Sequence, residues 1–235
     1  MSNGSIFITG TDTGVGKTLI TGLLARFLME HGLKTVTQKW IQTGCDVFSE
    51  DVNTHLKLMM SSRDEYEGYI GDMEPCVLHF PASPHLAARL EGKTIDIDSI
   101  IRSWKKLESA FEAVIVEGLG GVMVPVNEET MIIDMCCDAG IPIIIVAANR
   151  LGAINQTVLT IEALRKKNMD IAGVIFNCTH RGADEKIIAD NPRIISKITG
   201  VDILGVMTHD DDPERLYEMF LPTGREILKK WRQHG

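Results

Sequence analysis

The sequence predicts an α/β protein built on a doubly wound, mainly parallel sheet with helices on both faces, and three observations predict it. Short β-branched runs alternate with longer stretches of helical spacing, the pattern of parallel strands joined by covering helices. Four of those runs are nearly all apolar, as strands buried on both faces are. A glycine-rich turn connects the first run to the first helical stretch, and no repeat, low-complexity tract or linker-like segment divides the 235 residues, so one domain over 1–235 is expected.

Taken in order, Ser5–Thr9 reads as the first strand, and Lys17–His31 as a helix with Leu19, Leu23, Leu24, Phe27 and Leu28 at helical spacing and Gly32 as its stop. Lys34–Lys39, Ala113–Val116, Pro142–Ala148, Ile171–Phe176 and Ile203–Met207 read as the remaining strands. Residues 41–92, with Pro75, Pro81 and Pro84, are the least regular, and insertions and substrate loops are expected there. Asp211, Pro213 and Glu214 read as a helix start, not a metal cluster, and the tail 227–232 as a two-turn docking segment.

Composition narrows the function. Lys plus Arg number 24 against 32 Asp plus Glu, a formal charge of −8, which disfavours nucleic acid and anionic membrane as partners and favours small molecules. The five cysteines show no CxxC spacing and read as reduced thiols. The N-terminus lacks a secretory pattern and the longest apolar run, 141–148, is too short to span a bilayer, so a cytoplasmic protein is expected.

The chemistry is carried first by Gly10-Thr-Asp-Thr-Gly-Val-Gly-Lys17-Thr18, set between a strand and a helix as a phosphate-binding P-loop requires. Backbone amides of Gly14, Val15, Gly16, Lys17 and Thr18 would enclose phosphates at a helix N-terminus, with Thr13 also among the nucleotide-binding residues; Lys17 would neutralise the phosphates, and the Thr18 hydroxyl would ligate Mg²⁺. The glycine spacing is one residue longer than the strict GxxxxGK[ST] pattern. Next comes Ala113-Val-Ile-Val-Glu117-Gly118-Leu-Gly120-Gly121, an apolar strand ending in a carboxylate. Glu117 there should serve the metal, and Gly118 and Gly120 should let backbone approach the nucleotide. Lys39 ends the neighbouring strand on the same sheet edge as Lys17.

These residues, with Gln42-Thr43-Gly44, Ser83-Pro84-His85, Pro125 and Leu151-Gly152-Ala153-Ile154-Asn155, occur in an order that resembles the dethiobiotin synthetase family over about residues 6–177. The resemblance implies an ATP- and Mg²⁺-dependent ligase of biotin biosynthesis. Diaminopelargonic acid takes up carbon dioxide as a carbamate, which is phosphorylated and closes to a cyclic urea with release of ADP and phosphate. It further implies that Lys17 and Lys39 are catalytic, that Thr18, Asp51 and Glu117 hold magnesium, and that Thr13 and Thr43 line the substrate. By the same resemblance Asn177 reads adenine, and Gly152, Ala153, Ile154 and Asn155 bind the substrate carboxylate from a partner subunit in a homodimer. Asp46 is an alternative metal ligand, and Cys45 has no assigned role. Trp40, in place of the family's usual proline, and Thr208-His209, in place of a proline-containing adenine loop, depart from the pattern.

A second reading is a partition or septum-site ATPase switch, which would act by ATP-dependent dimerisation and partner recruitment. That group carries an extra lysine early in its P-loop, and the matching position here is Asp12.

Overall fold

The computed structural model describes residues 4–182 and 184–234, the side chains of 232–234 excepted. In chain order its elements are β1 (Gly4–Gly10), α1 (Lys17–Glu30), β2 (Thr35–Lys39), β3 (Gln42–Thr43), α2 (Glu50–Leu58), α3 (Ile70–Met73), β4 (Val77–Leu78), α4 (Pro84–Leu90) and α5 (Ile97–Ala110). There follow β5 (Ala113–Gly121), α6 (Ile132–Ala139), β6 (Ile143–Ala148), α7 (Ala153–Lys166), β7 (Ile171–Asn177), α8 (Glu185–Thr199), β8 (Ile203–Met207) and α9 (Pro213–His234). Among the described residues, six strands form one parallel sheet in the order β2-β5-β1-β6-β7-β8. β3 and β4 make a small separate parallel pair.

The central strands of the sheet are covered on both faces, and their apolar sequences suit that. Every residue of β6, Ile-Ile-Ile-Val-Ala-Ala, is buried. α1 packs with α2 and α9 and covers β1, β2 and β5, whereas α5 packs with α3 and α7 with α8 on other parts of the sheet. From β1 the chain first crosses one way to β2 and later returns through β5 to β6 on the other side. The carboxyl ends of β1, β2 and β5 therefore meet at a reversal of strand order, where open α/β sheets bind ligands.

Several sequence expectations change in detail. Residues 41–92 are not mainly loop: they contain α2, α3, α4, a 3₁₀ turn and the β3-β4 pair. The strand holding Glu117 does not end there but continues to Gly121, where it pairs with Gly10 of β1. The cap of the last helix is Asp212, whose Oδ1 accepts from the Glu214 amide at 2.9 Å, while Asp211 pairs with Arg181. The segment expected as a two-turn tail is the end of the 22-residue α9, with Ile227 and Leu228 buried; the side chain of Arg232 lies outside the described residues. Among the described residues no helix is long and apolar enough to cross a membrane.

One glycine inside α1 has a packing reason. A Cβ on Gly22 would stand 2.7 and 2.8 Å from Leu58 Cδ1 and Cβ and 3.3 Å from His55 Cα, so α2 could not approach α1 as it does. Gly22→Ala should gain about 1 kcal/mol of helix propensity and lose about 1–3 kcal/mol to overpacking. Net destabilisation in urea unfolding is expected; a more stable G22A would show that the two helices are not in contact here.

Candidate active site

The register of the sheet builds the site. β2 and β5 run parallel with Lys39 opposite Glu117, so their side chains meet at the end of the pairing. Lys39 Nζ lies 2.7 Å from Glu117 Oε1, 2.5 Å from Asp51 Oδ2 and 3.1 Å from the Gly118 carbonyl. Lys39 and Glu117 are 3% and 1% exposed, so this is an interior ion pair and is screened little by solvent. Burial alone would raise the Glu117 pKa, but the Lys39 charge and the hydrogen bond from His55 outweigh it and hold the carboxyl at about 2. Burial likewise pulls Lys39 down, and Glu117 and Asp51 overcome it, so the ammonium sits above its ordinary range.

β1 delivers the phosphate-binding turn to the same place. Gly16 is the N-cap of α1 at φ 100°, a left-handed conformation, and α1 carries no acidic residue in its first turn. Lys17 Nζ donates to the Asp12 carbonyl across the turn at 3.2 Å. Its burial, followed by the nearby Lys39 charge, lowers its pKa to about 8 despite the opposing carboxylates. Thr18 Oγ1 is 3.1 Å from both Asp51 Oδ1 and Glu117 Oε1. Three oxygen donors thus converge on one point beside two ammonium groups, at the wall of a cavity of about 660 Å³.

Most of the residues expected in the site are brought together here. Thr13, Gly14, Gly16, Lys17, Thr18, Lys39, Thr43, Asp51, Glu117 and Gly120 all line the cavity. Asp51 sits in the first turn of α2 and not in an irregular loop, whereas its rival Asp46 is exposed and pairs with His79 at 2.5 Å. Gly118 does not line the cavity. A Cβ on it would lie 2.6 Å from the Phe7 ring, so its lack of a side chain serves core packing, and its carbonyl serves Lys39. Val15 is buried beneath the turn, where its carbonyl accepts a 2.9 Å hydrogen bond from Asn177 Nδ2 at the end of β7. Trp40 is fully buried against Phe7, with ring centroids 4.7 Å apart, and does not line the cavity.

Gly152 to Asn155 lie apart from this cavity, at the N-terminus of α7, with Gly152, Ile154 and Asn155 exposed and Ala153 buried. Their link to the P-loop runs through Gln156, whose Nε2 is 3.3 Å from Asp12 Oδ2. The residue that sequence reasoning missed is His55. It is fully buried, with Nε2 2.6 Å from Glu117 Oε2. Its signal was the spacing from Asp51, four residues along one helix face.

The donor set suits magnesium. Two carboxylates and a hydroxyl are hard oxygen ligands, and a site completed by phosphate oxygens needs no all-protein cage. Consistent with that, the described residues contain no group of three or more His, Cys, Asp and Glu arranged to hold a metal by themselves. Lys39 now supplies the positive charge between the two carboxylates.

A family model described as an AAA domain matches residues 4–215. The chain is 43% identical over 189 residues to the ATP-dependent dethiobiotin synthetase BioD of Chlorobaculum tepidum, covering 80% of this chain and 78% of that one. With the BioD of Halalkalibacterium halodurans the identity is 39% over 210 residues, 88% of this chain and 86% of the other. Among solved structures, the cell division ATPase MinD of Pyrococcus furiosus superposes with a TM-score of 0.62 at 18% identity, over 97% of this chain and 99% of that one. At that identity the likeness is one of fold.

The state of Lys17 gives a pH test. In nucleotide-free, metal-free protein its proton leaves near pH 8, and a bound triphosphate restores the charged form, so binding takes up a proton. Affinity for ATP in EDTA should therefore fall as pH rises above 8, approaching about tenfold per unit. Calorimetry in two buffers of different ionisation enthalpy checks the uptake. A flat affinity between pH 7 and 9.5 would contradict the burial of this ammonium.

Proposed function

The chain belongs to the dethiobiotin synthetase family, and from that premise we propose how its residues perform an ATP- and Mg²⁺-dependent ligation of diaminopelargonic acid and carbon dioxide. The reading is carried by the convergence of Lys17, Lys39, Thr18, Asp51 and Glu117 on one cavity. The partition-switch alternative has only the fold in its favour.

The chemical problem is a poor leaving group. One amine of the substrate takes up carbon dioxide as a carbamate, whose oxygen attacks the γ-phosphorus while ADP leaves. The second amine then attacks the carbamoyl carbon and expels phosphate, closing the cyclic urea. Such transfer needs positioning and charge neutralisation and no nucleophilic side chain. Lys17 reaches the β and γ phosphates once it leaves the Asp12 carbonyl, and Lys39 meets the negative charge shared by carbamate and transferring phosphoryl. Magnesium, held by Thr18, Asp51 and Glu117, would supply charge neutralisation at the phosphate oxygens. Thr13 and Thr43 line the diamine, the amides of Gly14, Val15 and Gly16 cradle phosphate, and Gly120 lets the protein backbone approach the nucleotide.

Asn177 spends one amide hydrogen on the Val15 carbonyl, which fixes the P-loop against β7, and its Oδ1 would accept from adenine. Gly152 to Asn155 would present the amides of an α7 N-terminus to the substrate carboxylate of a neighbouring subunit, making the protein a homodimer. The exposed apolar residues Leu151 and Ile154 support an interface at that point. We place the enzyme in the cytoplasm as one P-loop domain over residues 1–235, without nucleic acid or membrane partners. The five unpaired cysteines and the formal charge of −8 support that reading.

ADP release should depend jointly on bicarbonate and diaminopelargonic acid in a coupled assay; ATP hydrolysis indifferent to the diamine would favour the switch. Lys17→Ala should lower turnover by at least roughly 10³-fold, and unaltered turnover would remove the site. Lys17→Ala mixed with Asn155→Asp, each inactive alone, should regain about a quarter of wild-type activity if subunits share sites. No recovery after verified subunit exchange would confine each site to one chain.

A further inference from the structure

Asp51 and His55 stand four residues apart on α2 and so share one face. Asp51 turns to Thr18 and Lys39, and His55 turns to Glu117. The two oxygens of Glu117 are thereby divided. Oε1 meets Lys39 at 2.7 Å and Thr18 at 3.1 Å on the cavity side, while Oε2 is held by His55 at 2.6 Å. An ionised carboxylate only accepts, so Nε2 of the imidazole carries the proton in this contact.

The other ring nitrogen separates this histidine from an ordinary core residue. His55 is fully buried, and its Nδ1 has no hydrogen-bond partner among the described residues. An unpaired buried nitrogen is destabilising, and an apolar side chain of similar size would avoid it. The polar contact that His55 does make is with Glu117. Gly22 supports the same conclusion, because the missing Cβ lets the backbone at His55 come against α1.

We propose that His55 is a positioning residue, which holds Glu117 with Oε2 turned away from the cavity so that Oε1 alone faces the divalent cation and Lys39. This rests on the reading of Glu117 as a metal ligand. Without the imidazole, Glu117 could rotate and engage Lys39 with both oxygens, drawing the carboxylate and the ammonium away from the ligands they serve. Residues that orient a metal ligand in this way are worth roughly 10–100-fold in metal affinity.

The test uses the full chain stripped with EDTA, with Mn²⁺ titrated in the presence of ADP and followed by electron paramagnetic resonance. His55→Leu should fold, should bind ADP in EDTA as wild type does, and should lose roughly 10–100-fold in Mn²⁺ affinity. His55→Gln, whose amide nitrogen reaches the place of the imidazole Nε2, should stay within about threefold of wild type. A folded H55L with wild-type Mn²⁺ affinity, or H55L and H55Q weakened alike, would overturn the proposal. Should H55L fail to fold, His55→Asn takes its place under the same rule, since its shorter side chain does not reach Oε2. Glu117→Gln separates the two readings. If E117Q loses Mn²⁺ affinity and H55L does not, only the role of His55 fails; if E117Q binds Mn²⁺ as wild type does, the metal reading fails and takes this proposal with it.

Discussion

The buried pair of Lys39 and Glu117 is the interaction on which the rest of the site depends. Moving two charges out of water costs several kcal/mol per ion, and their mutual attraction offsets this only when the remaining donors and acceptors are also satisfied. Here they are satisfied by four groups drawn from α1, α2 and β5. Asp51 and the Gly118 carbonyl complete Lys39, and His55 and Thr18 complete Glu117. Loss of any one partner leaves a buried charge short of a hydrogen bond, so the cluster is held as a unit.

Register is what allows so costly a pair to form reproducibly. In parallel strands a slip of one residue sends every side chain to the opposite face. In the register observed, buried Ile115 and Val116 of β5 lie beside buried Thr37 and Gln38 of β2, and Glu117 falls beside Lys39. The strand pairing therefore sets which charges meet in the site. α2 adds the second constraint, since its approach to α1 over Gly22 brings Asp51 and His55 to the same carboxyl end of the sheet.

The strands of the sheet were legible because each is a short β-branched run between turn signals, and the P-loop because its strand and helix flank it. The extension of β5 through Gly118-Leu-Gly-Gly was not, since glycines weaken a strand pattern and the pairing of Gly121 with Gly10 is a tertiary contact. α2 was hidden because its nine residues carry only a weak apolar pattern. It is a short helix whose stability comes from packing on α1 and from its cap, the Ser49 side chain accepting from the Val52 amide at 3.1 Å. Its signature was present in Ser49 followed by Glu50 and Asp51, acids that suit a helix N-terminus. Reading that helix would have put Asp51 and His55 on one face and exposed the histidine as a member of the site. Gly118 shows the reverse case, in which a glycine suited to ligand approach proves to make room for Phe7.

The balance of charge explains why nucleotide and metal should bind together. Two ammonium groups, Lys17 and Lys39, now face two carboxylates, Asp51 and Glu117, so the site is close to neutral as it stands. A triphosphate entering alone would bring several negative charges next to those carboxylates, in a setting where burial makes like charges repel strongly. A divalent cation entering alone would meet Lys39 already seated between its two anionic ligands. Entering together, the phosphates would attract the lysines while Asp51 and Glu117 would hold the cation. Each ligand would thereby lower the electrostatic obstacle to the other, and the ion pairs that now hold Lys39 would loosen most with both bound.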